Sequence, residues 1–203
     1  MKKIYLTAIL LLGLIVSSNA QHSYWSINWD MAKGMGDTGD YIGNMSFRGI
    51  SADGRYFFSE NASVGGFFGW NVLNDELSDL PPYEFEGEDG SIGSISGTQY
   101  RYLNIFPVLI NAHYYVDTGG DIKPYAGLGL GTVYTEQRVD VGLTSLYSDS
   151  WGFGVQPEVG VYIPFGYNGT GLNLAVRYLY GTSAGELDKL STLSFAVGFG
   201  FMN

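Results

Sequence analysis

Several segments of this chain have apolar residues at every second position. The charged residues within these segments are the first candidates for chemistry. Five of them form a set that we predict to be a buried polar network: Arg48, Asp53, Arg55, Glu158 and Arg177. If the turn between two of these segments is centred on Tyr167–Asn168, Glu158 lies opposite Arg177, and Tyr162 lies opposite Asn173. An unpaired interior charge is costly, so such groups must be matched and hydrogen-bonded. The network therefore either fills and fixes an interior or acts as a selectivity element in a thin pore.

Catalytic chemistry has little support in the sequence. The chain has two histidines, His22 and His113, and no cysteine. His22 lies in a short leader before the first alternating segment, and His113 lies near a short turn, where we interpret it as a structural residue. The glycines of LGLG (Leu128–Gly131) lie within a segment and no helix follows them, which excludes a dinucleotide-binding loop. We expect no enzymatic activity, no cofactor and no metal centre.

An acidic segment between Asn74 and Gly97 is the most informative candidate outside the alternating segments. It contains no Lys or Arg, and its carboxylates are Asp75, Glu76, Asp79, Glu84, Glu86, Glu88 and Asp89. Charge of one sign keeps a surface loop solvated and extended. Carboxylate oxygens are also the ligands that Ca²⁺ and Mg²⁺ prefer. We expect a solvated loop, with binding of a divalent cation or a cell-surface receptor at 74–97 as the sharper hypothesis.

Eight segments with apolar residues at every second position carry these candidates. We predict strands at about 24–33, 42–58, 63–73, 98–116, 122–138, 151–161, 172–180 and 193–203. Short turns alternate with longer polar links, which predicts an up-and-down antiparallel meander. The alternation slips at Gly49 and at Pro107, which predicts a β-bulge at each position. With these bulges the polar face gains Arg48, Asp53, Arg55, Asn104, Asn111 and His113.

The C-terminal segment LSFAVGFGFMN (Leu193–Asn203) raises the question of which face meets the solvent. Aromatic and aliphatic residues alternate there with glycine, alanine and serine. In a soluble barrel the second face would meet water and be rich in Lys, Glu and Thr, whereas here that face is small and weakly polar. Aromatic residues also cluster at both strand ends, as at the two interfaces of a bilayer. We therefore predict an all-β fold, an eight-stranded antiparallel up-and-down transmembrane β-barrel with a narrow, filled interior.

The N-terminus and the overall charge bound the location and the partners. Lys2 and Lys3 precede an apolar run from Ile4 to Val16, and small residues lead up to Ala20. This pattern is typical of a secretory signal peptide. We predict a signal peptide over 1–20 and a single outer-membrane barrel domain over 21–203. The net charge of −10 argues against nucleic acid as a partner.

The chain resembles the OmpA/OmpX-like family of small outer-membrane β-barrel proteins over roughly Ser23–Phe201. The resemblance rests on GRYFFSENASVGGFFGW (Gly54–Trp70), on YAGLGLG (Tyr125–Gly131) and on the alternating aromatic C-terminus. It implies a place among the lipids of a Gram-negative outer membrane, with both termini periplasmic. It also implies that the barrel-assembly machinery binds the C-terminal strand. The family usually ends on an aromatic residue, whereas Met202 and Asn203 follow here.

The resemblance is specific for architecture and weak for function, because the family includes adhesins, structural anchors and proteins of no known activity. We expect a non-enzymatic protein with a structural or surface-interaction role, exerted through its acidic extracellular loops. A narrow porin-like pore is the alternative. An enzyme that modifies lipid A is less favoured, because His113 would lie on the periplasmic side, away from the outer leaflet.

Overall fold

The computed structural model describes residues 23–78, 83–86, 91–95, 97–142, 144–165, 169–182 and 189–203. These residues form ten strands and one short helix. The elements are β1 (Ser23–Gly34), α1 (Gly36–Tyr41), β2 (Met45–Phe57), β3 (Ala62–Leu77), β4 (Tyr83–Glu86), β5 (Ile92–Ile95), β6 (Gln99–Tyr115), β7 (Lys123–Val141), β8 (Thr144–Pro164), β9 (Thr170–Gly181) and β10 (Leu190–Met202). The predicted signal peptide and His22 lie outside the described residues.

Eight of the strands close into an antiparallel barrel in the order β1-β10-β9-β8-β7-β6-β3-β2, which confirms the predicted fold. The ring is closed by β1 and β10, where Trp25 pairs with Phe201. Closure gives each barrel strand two neighbours, so the backbone groups within a bilayer are satisfied internally. The short β4 and β5 form a separate two-stranded sheet in the segment predicted as a loop.

Within the described part of the chain, no helix is long and apolar enough to cross a membrane.

Large apolar side chains cover the outside of the barrel, and in the half of the barrel that holds the chain ends small and polar side chains point inward. All four tryptophans are on the outside, with exposed fractions of 64% for Trp25, 51% for Trp29, 44% for Trp70 and 61% for Trp151. The inner positions hold small or hydrogen-bonding residues such as Ser26, Asn28 and Ser51, which are almost fully buried. This arrangement is the inverse of that in a soluble protein, and it suits a barrel surrounded by lipid.

Aromatic rings form a belt at each end of the apolar surface. Following the expectation that both chain ends are periplasmic, we call the belt at the end that holds Ser23 and Asn203 periplasmic and the other extracellular. The extracellular belt comprises Trp70, Phe106, Tyr134 and Trp151, whose ring centroids lie 5.9, 5.9 and 5.1 Å apart from one strand to the next. The periplasmic belt includes Trp25, Tyr114, Phe165 and Phe201, all of them exposed. At about 3.3 Å per residue and a tilt of roughly 40°, the two belts on β6 lie about 20 Å apart along the membrane normal. This spacing is close to the apolar band of roughly 25 Å on outer-membrane barrels.

The bulge predicted near Gly49 is confirmed, but its effect on Arg48 was predicted wrongly. Asp30 pairs with Gly49 and Ala32 pairs with Ser46, so the single Met31 faces two residues of β2. Those two residues, Phe47 and Arg48, are both exposed on the outside of the barrel. Because a bulge turns two successive side chains towards the same face, Arg48 does not enter the interior.

The bulge predicted at Pro107 is absent. From Gln99 to Tyr115, β6 pairs with β7 without a shift in register. Leu103 and Ile105 are therefore interior residues, and Asn104 lies on the outer face with Trp70 and Glu136. The prediction was wrong because the extracellular half of the interior is apolar. In the sequence, the inward-facing residues of this half therefore look the same as residues that face lipid. Pro107 has no N–H, and the pairing of β6 with β3 is interrupted beside it.

The interior consists of two layers. The extracellular layer is an apolar core of Ala32, Ile42, Phe67, Leu73, Leu103, Ile105, Leu109, Val133, Leu179 and Leu190. The helix α1 lies over this core and is tied to β10, since the Thr38 hydroxyl donates to the Lys189 carbonyl (3.3 Å) and accepts from the Ser191 N–H (2.9 Å). The periplasmic layer is polar and contains four of the five charged residues predicted as a network.

Candidate functional site

Arg55 connects three strands within the polar layer. Its Nε donates to Asp53 Oδ2 at 2.8 Å, and its Nη2 donates to both Asp53 Oδ2 and Glu158 Oε1, the latter at 2.9 Å. Its Nη1 donates to the Tyr115 hydroxyl at 2.8 Å. The guanidinium also lies 4.8 Å from the centroid of Tyr24 and 4.4 Å from that of Tyr125. Charge-assisted hydrogen bonds and aromatic faces together compensate for its removal from water.

Arg177 holds the other side of the same carboxylate. Its Nε donates to Glu158 Oε2 at 2.6 Å, while Nη1 donates to Asp30 Oδ1 at 3.1 Å and to Ser51 Oγ at 3.0 Å. Glu158 pairs directly with Arg177 across β8 and β9, and Tyr162 pairs with Asn173, both as predicted. The five ionisable residues Asp30, Asp53, Arg55, Glu158 and Arg177 are each at most 4% exposed.

His113 lies beside this cluster. Its Nε2 is 3.6 Å from Glu158 Oε1, and its ring packs edge-on against Tyr125 at 5.5 Å between centroids. Asp53, His113 and Glu158 offer ligand atoms within 4.8 Å of one another, a spacing that could hold a metal ion. Arg55 already donates to both carboxylates, however, and its positive charge opposes a second cation there. The donor set therefore suits a guanidinium and not a metal.

Neutral groups continue the network towards the periplasmic end. The Tyr125 hydroxyl donates to Asn173 Oδ1 at 2.9 Å, and Asn173 Nδ2 donates to Asn28 Oδ1 at 2.8 Å. Asn111 Nδ2 donates to Asp53 Oδ1 at 3.1 Å. Asp30 was predicted on the polar inner face, whereas Tyr115 and Tyr125 were missed, although each occupies an inward position of its strand. Alternation counted along β6 from Asn111 and His113, and along β7 from Gly127, would have found these two tyrosines.

Four strands continue past the extracellular belt and form what we call the extracellular wall: residues 72–77 of β3, 99–105 of β6, 135–141 of β7 and 144–150 of β8. Pairing between β8 and β9 reaches Gly154 and Gly181, and Thr182 adds two hydrogen bonds to Phe153. Beyond this point, residues 144–152 of β8 pair with β7 alone within the part of the chain that the structure describes. Among the described residues, the wall therefore ends on the β8 side in a strand edge that no other strand pairs with.

The acidic residues divide between strand and loop. Asp75 and Glu76 were predicted in a loop, which is wrong, because β3 continues to Leu77 and pairs with β6. Asp75 accepts hydrogen bonds from the Gly43 N–H (3.2 Å) and Asn44 Nδ2 (2.6 Å), and Glu76 accepts one from the Tyr100 hydroxyl (3.3 Å). Asp79, Glu88 and Asp89 lie outside the described residues, and Glu84 and Glu86 lie in β4, where only the backbone is described.

The outer face of the wall carries a further ion pair. Arg138 Nε donates to both carboxylate oxygens of Asp140 at 2.9 Å, and this hydrogen bonding lowers the pKa of Asp140 below its ordinary value. The Arg138 guanidinium lies 5.3 Å from the Tyr102 centroid and 5.8 Å from that of Tyr147. The wall thus presents aromatic rings and charges to the extracellular side.

A model of the outer membrane protein beta-barrel domain matches residues 6–201. The chain belongs to this family. The match confirms the resemblance to the OmpA/OmpX-like family. It also confirms that the protein lies in the outer membrane of a Gram-negative-type bacterium.

Individual relatives of this outer-membrane barrel are distant. Outer membrane protein AlkL of Ectopseudomonas oleovorans is 30% identical over 133 residues, which cover 64% of this chain and half of the AlkL sequence. Neisserial surface protein A superposes with a TM-score of 0.56 at 16% identity, covering 90% of this chain and 99% of that one. Ail, the attachment invasion locus protein of Yersinia pestis, gives a TM-score of 0.51 at 12% identity, covering 91% and 100%. At these identities the solved structures show a shared fold.

Proposed function

We propose that this protein is a non-enzymatic outer-membrane barrel that acts by binding partners at its extracellular end. The observation that carries the proposal is the extracellular wall, four strands that extend beyond the membrane while the interior beneath them is filled. Strand residues that serve only to cross a bilayer end near its interface. The additional length of β3, β6, β7 and β8 supports a role outside the membrane.

The edge of β8, which is unpaired among the described residues, favours a partner with an extended segment. Residues 144–152 present backbone N–H and C=O groups that a partner strand could pair with, and alternate side chains would supply specificity. The segment between β3 and β6 is rich in carboxylates and the chain has a net charge of −10. Charge complementarity therefore favours a partner whose binding segment carries Lys or Arg.

Binding of a divalent cation at 74–97 is a second way in which the acidic segment could act. Asp75 already accepts two hydrogen bonds from the loop after α1, so it is poorly placed to serve as a free ligand. Calcium titration separates the two possibilities. A receptor-binding segment gives no saturable NMR response at millimolar calcium, whereas a cation site gives one centred on the acidic residues.

The C-terminal strand supports the proposed contact with the barrel-assembly machinery. In the finished barrel β10 pairs with both β9 and β1, and Phe199 and Phe201 point outward with exposed fractions of 58% and 48%. Before closure the same strand would present this aromatic row to the assembly machinery. Replacing both Phe199 and Phe201 by Ser should reduce the yield of folded barrel in the outer membrane.

The two alternatives, a narrow pore and an enzyme that modifies lipid A, receive less support. The buried ion pairs of Arg55 and Arg177 and the apolar core above them occupy the interior that an axial pore would need. His113 is 4% exposed and faces this interior, which is a poor position for a base acting on lipid A. Steady ion conductance of the purified protein in a planar bilayer would favour the pore, and altered acylation of lipid A by mass spectrometry would favour the enzyme.

The decisive experiment uses an extended basic peptide of alternating Lys and Val as the probe, with the protein in nanodiscs. We expect saturable NMR shifts of backbone amides between Thr144 and Gly152, and unchanged amides between Thr170 and Leu172 at the periplasmic rim. A variant lacking Asp79–Asp89 should bind the peptide more weakly. Uniform small shifts, or equal binding by an acidic peptide of the same pattern, would contradict the proposal.

A further inference from the structure

A cavity of about 410 Å³ lies on the inner side of the extracellular wall, above the apolar core. One side of the cavity is formed by β7 and β8, and the other by α1 and the start of β10. This volume falls within the range of roughly 300–1,000 Å³ that is typical of small-molecule sites. The cavity starts at the level of the extracellular belt, since Val133 and Gly152 line it next to Tyr134 and Trp151.

The floor of the cavity is apolar. Leu103, Val133 and Leu190 line it and belong to the buried core, with exposed fractions of 5%, 2% and 6%. An apolar group placed on this floor would be removed from water at no cost in polar desolvation.

Four neutral polar side chains stand above the floor in two facing pairs. Thr135 pairs with Ser150, and Gln137 pairs with Ser148, across β7 and β8. Hydroxyl and amide groups both donate and accept hydrogen bonds. Within the described residues these four side chains have no hydrogen-bond partner, so they are available to a ligand.

Among the described lining residues, the entrance carries one charge of each sign. Asp37 and Lys189 both line the cavity and both are exposed, so this pair of charges selects neither an anion nor a cation. We propose that the cavity binds an uncharged amphiphile, whose apolar chain lies on the floor while its hydroxyl end bonds to Gln137, Ser148 and their neighbours. This site is separate from the outer edge of β8 and goes beyond the proposed surface interaction.

The test uses 1-decanol with the protein in detergent-free nanodiscs, observed through the methyl NMR signals of Leu103, Val133 and Leu190. We expect saturable shifts with 1-decanol, and weaker binding of decanoate and of decane, which lack an uncharged hydroxyl. Ser148→Phe fills the cavity and should abolish the shifts. Ser145→Phe, on the outward face of the same strand, should leave them unchanged.

A second variant keeps the polar contact testable without filling the cavity. Gln137→Leu should weaken binding of 1-decanol about 2- to 10-fold, the effect of losing one neutral hydrogen bond, and leave that of decane unchanged. Shifts that rise linearly with 1-decanol, as simple partitioning into lipid would give, would overturn the proposal. Equal shifts in the Ser148→Phe and wild-type proteins would overturn it as well.

Discussion

Glu158 on β8 and Arg177 on β9 face each other, with Arg177 Nε donating to Glu158 Oε2 at 2.6 Å. The other oxygen of the same carboxylate accepts from Arg55 on β2 at 2.9 Å. One carboxylate thus bridges two guanidiniums, one from the neighbouring strand and one from across the barrel. Glu158 is the centre of the polar layer, and its loss would leave both arginines with fewer partners.

Replacing Glu158 by Ala should destabilise the barrel by about 3–5 kcal/mol, because it leaves buried positive charge uncompensated. Urea unfolding in phospholipid vesicles, followed by tryptophan fluorescence, measures the change. The matched control is Asp140→Ala, which breaks an ion pair on the outer face of the wall and should leave the unfolding midpoint nearly unchanged. Equal midpoints for the two variants would show that the buried network contributes little.

Glycine at position 198 allows β10 to approach β1 closely. A Cβ there would lie 2.1 Å from the Ile27 carbonyl oxygen and 2.5 Å from the Asn28 Cα, so Gly198→Ala must displace backbone. We expect a loss of about 1–3 kcal/mol in the free energy of unfolding, as for overpacking. At Gly66 the nearest atom to an added Cβ is 4.0 Å away, so Gly66→Ala should be tolerated. The same urea titration compares the two.

The outward position of every tryptophan predicts a specific quenching pattern. Lipids brominated on their acyl chains should quench the fluorescence of the folded protein strongly, because Trp25, Trp29, Trp70 and Trp151 all point outward between or at the two belts. Iodide in the aqueous phase should quench weakly. The reverse order of efficiency would contradict the orientation of the strands.

The Arg138–Asp140 pair predicts a pH response of the extracellular wall. Hydrogen bonding by Arg138 lowers the pKa of Asp140, so this solvent-screened pair adds a small stabilisation to the folded wall above the ordinary carboxyl pKa. This contribution is lost as the pH falls through the lowered pKa. The ¹³C signal of the Asp140 carboxyl should titrate at lower pH in the wild type than in Arg138→Gln, where the pKa should lie closer to the ordinary carboxyl value. Identical titration of the two proteins would show that the pair is absent in solution.

Alternation along single strands predicted much of the barrel. The pairing of Glu158 with Arg177 could be predicted because a short turn fixes the register of the hairpin that contains them. Arg48 could not be assigned, since the sequence marks where the alternation slips but not which side chains a bulge turns outward. Leu103 and Ile105 were assigned to the lipid because an apolar residue looks the same against a membrane or against a core.

The sequence by itself determined that eight strands cross an outer membrane with their apolar face outward, because a period of two and strand-end aromatics are local properties of the chain. Only the tertiary structure decided which charges meet. Arg55 reaches Glu158, and Arg177 reaches Asp30, across the interior between residues far apart in sequence. Closure of the ring brings these side chains within hydrogen-bond distance, and no periodicity along a strand encodes that distance.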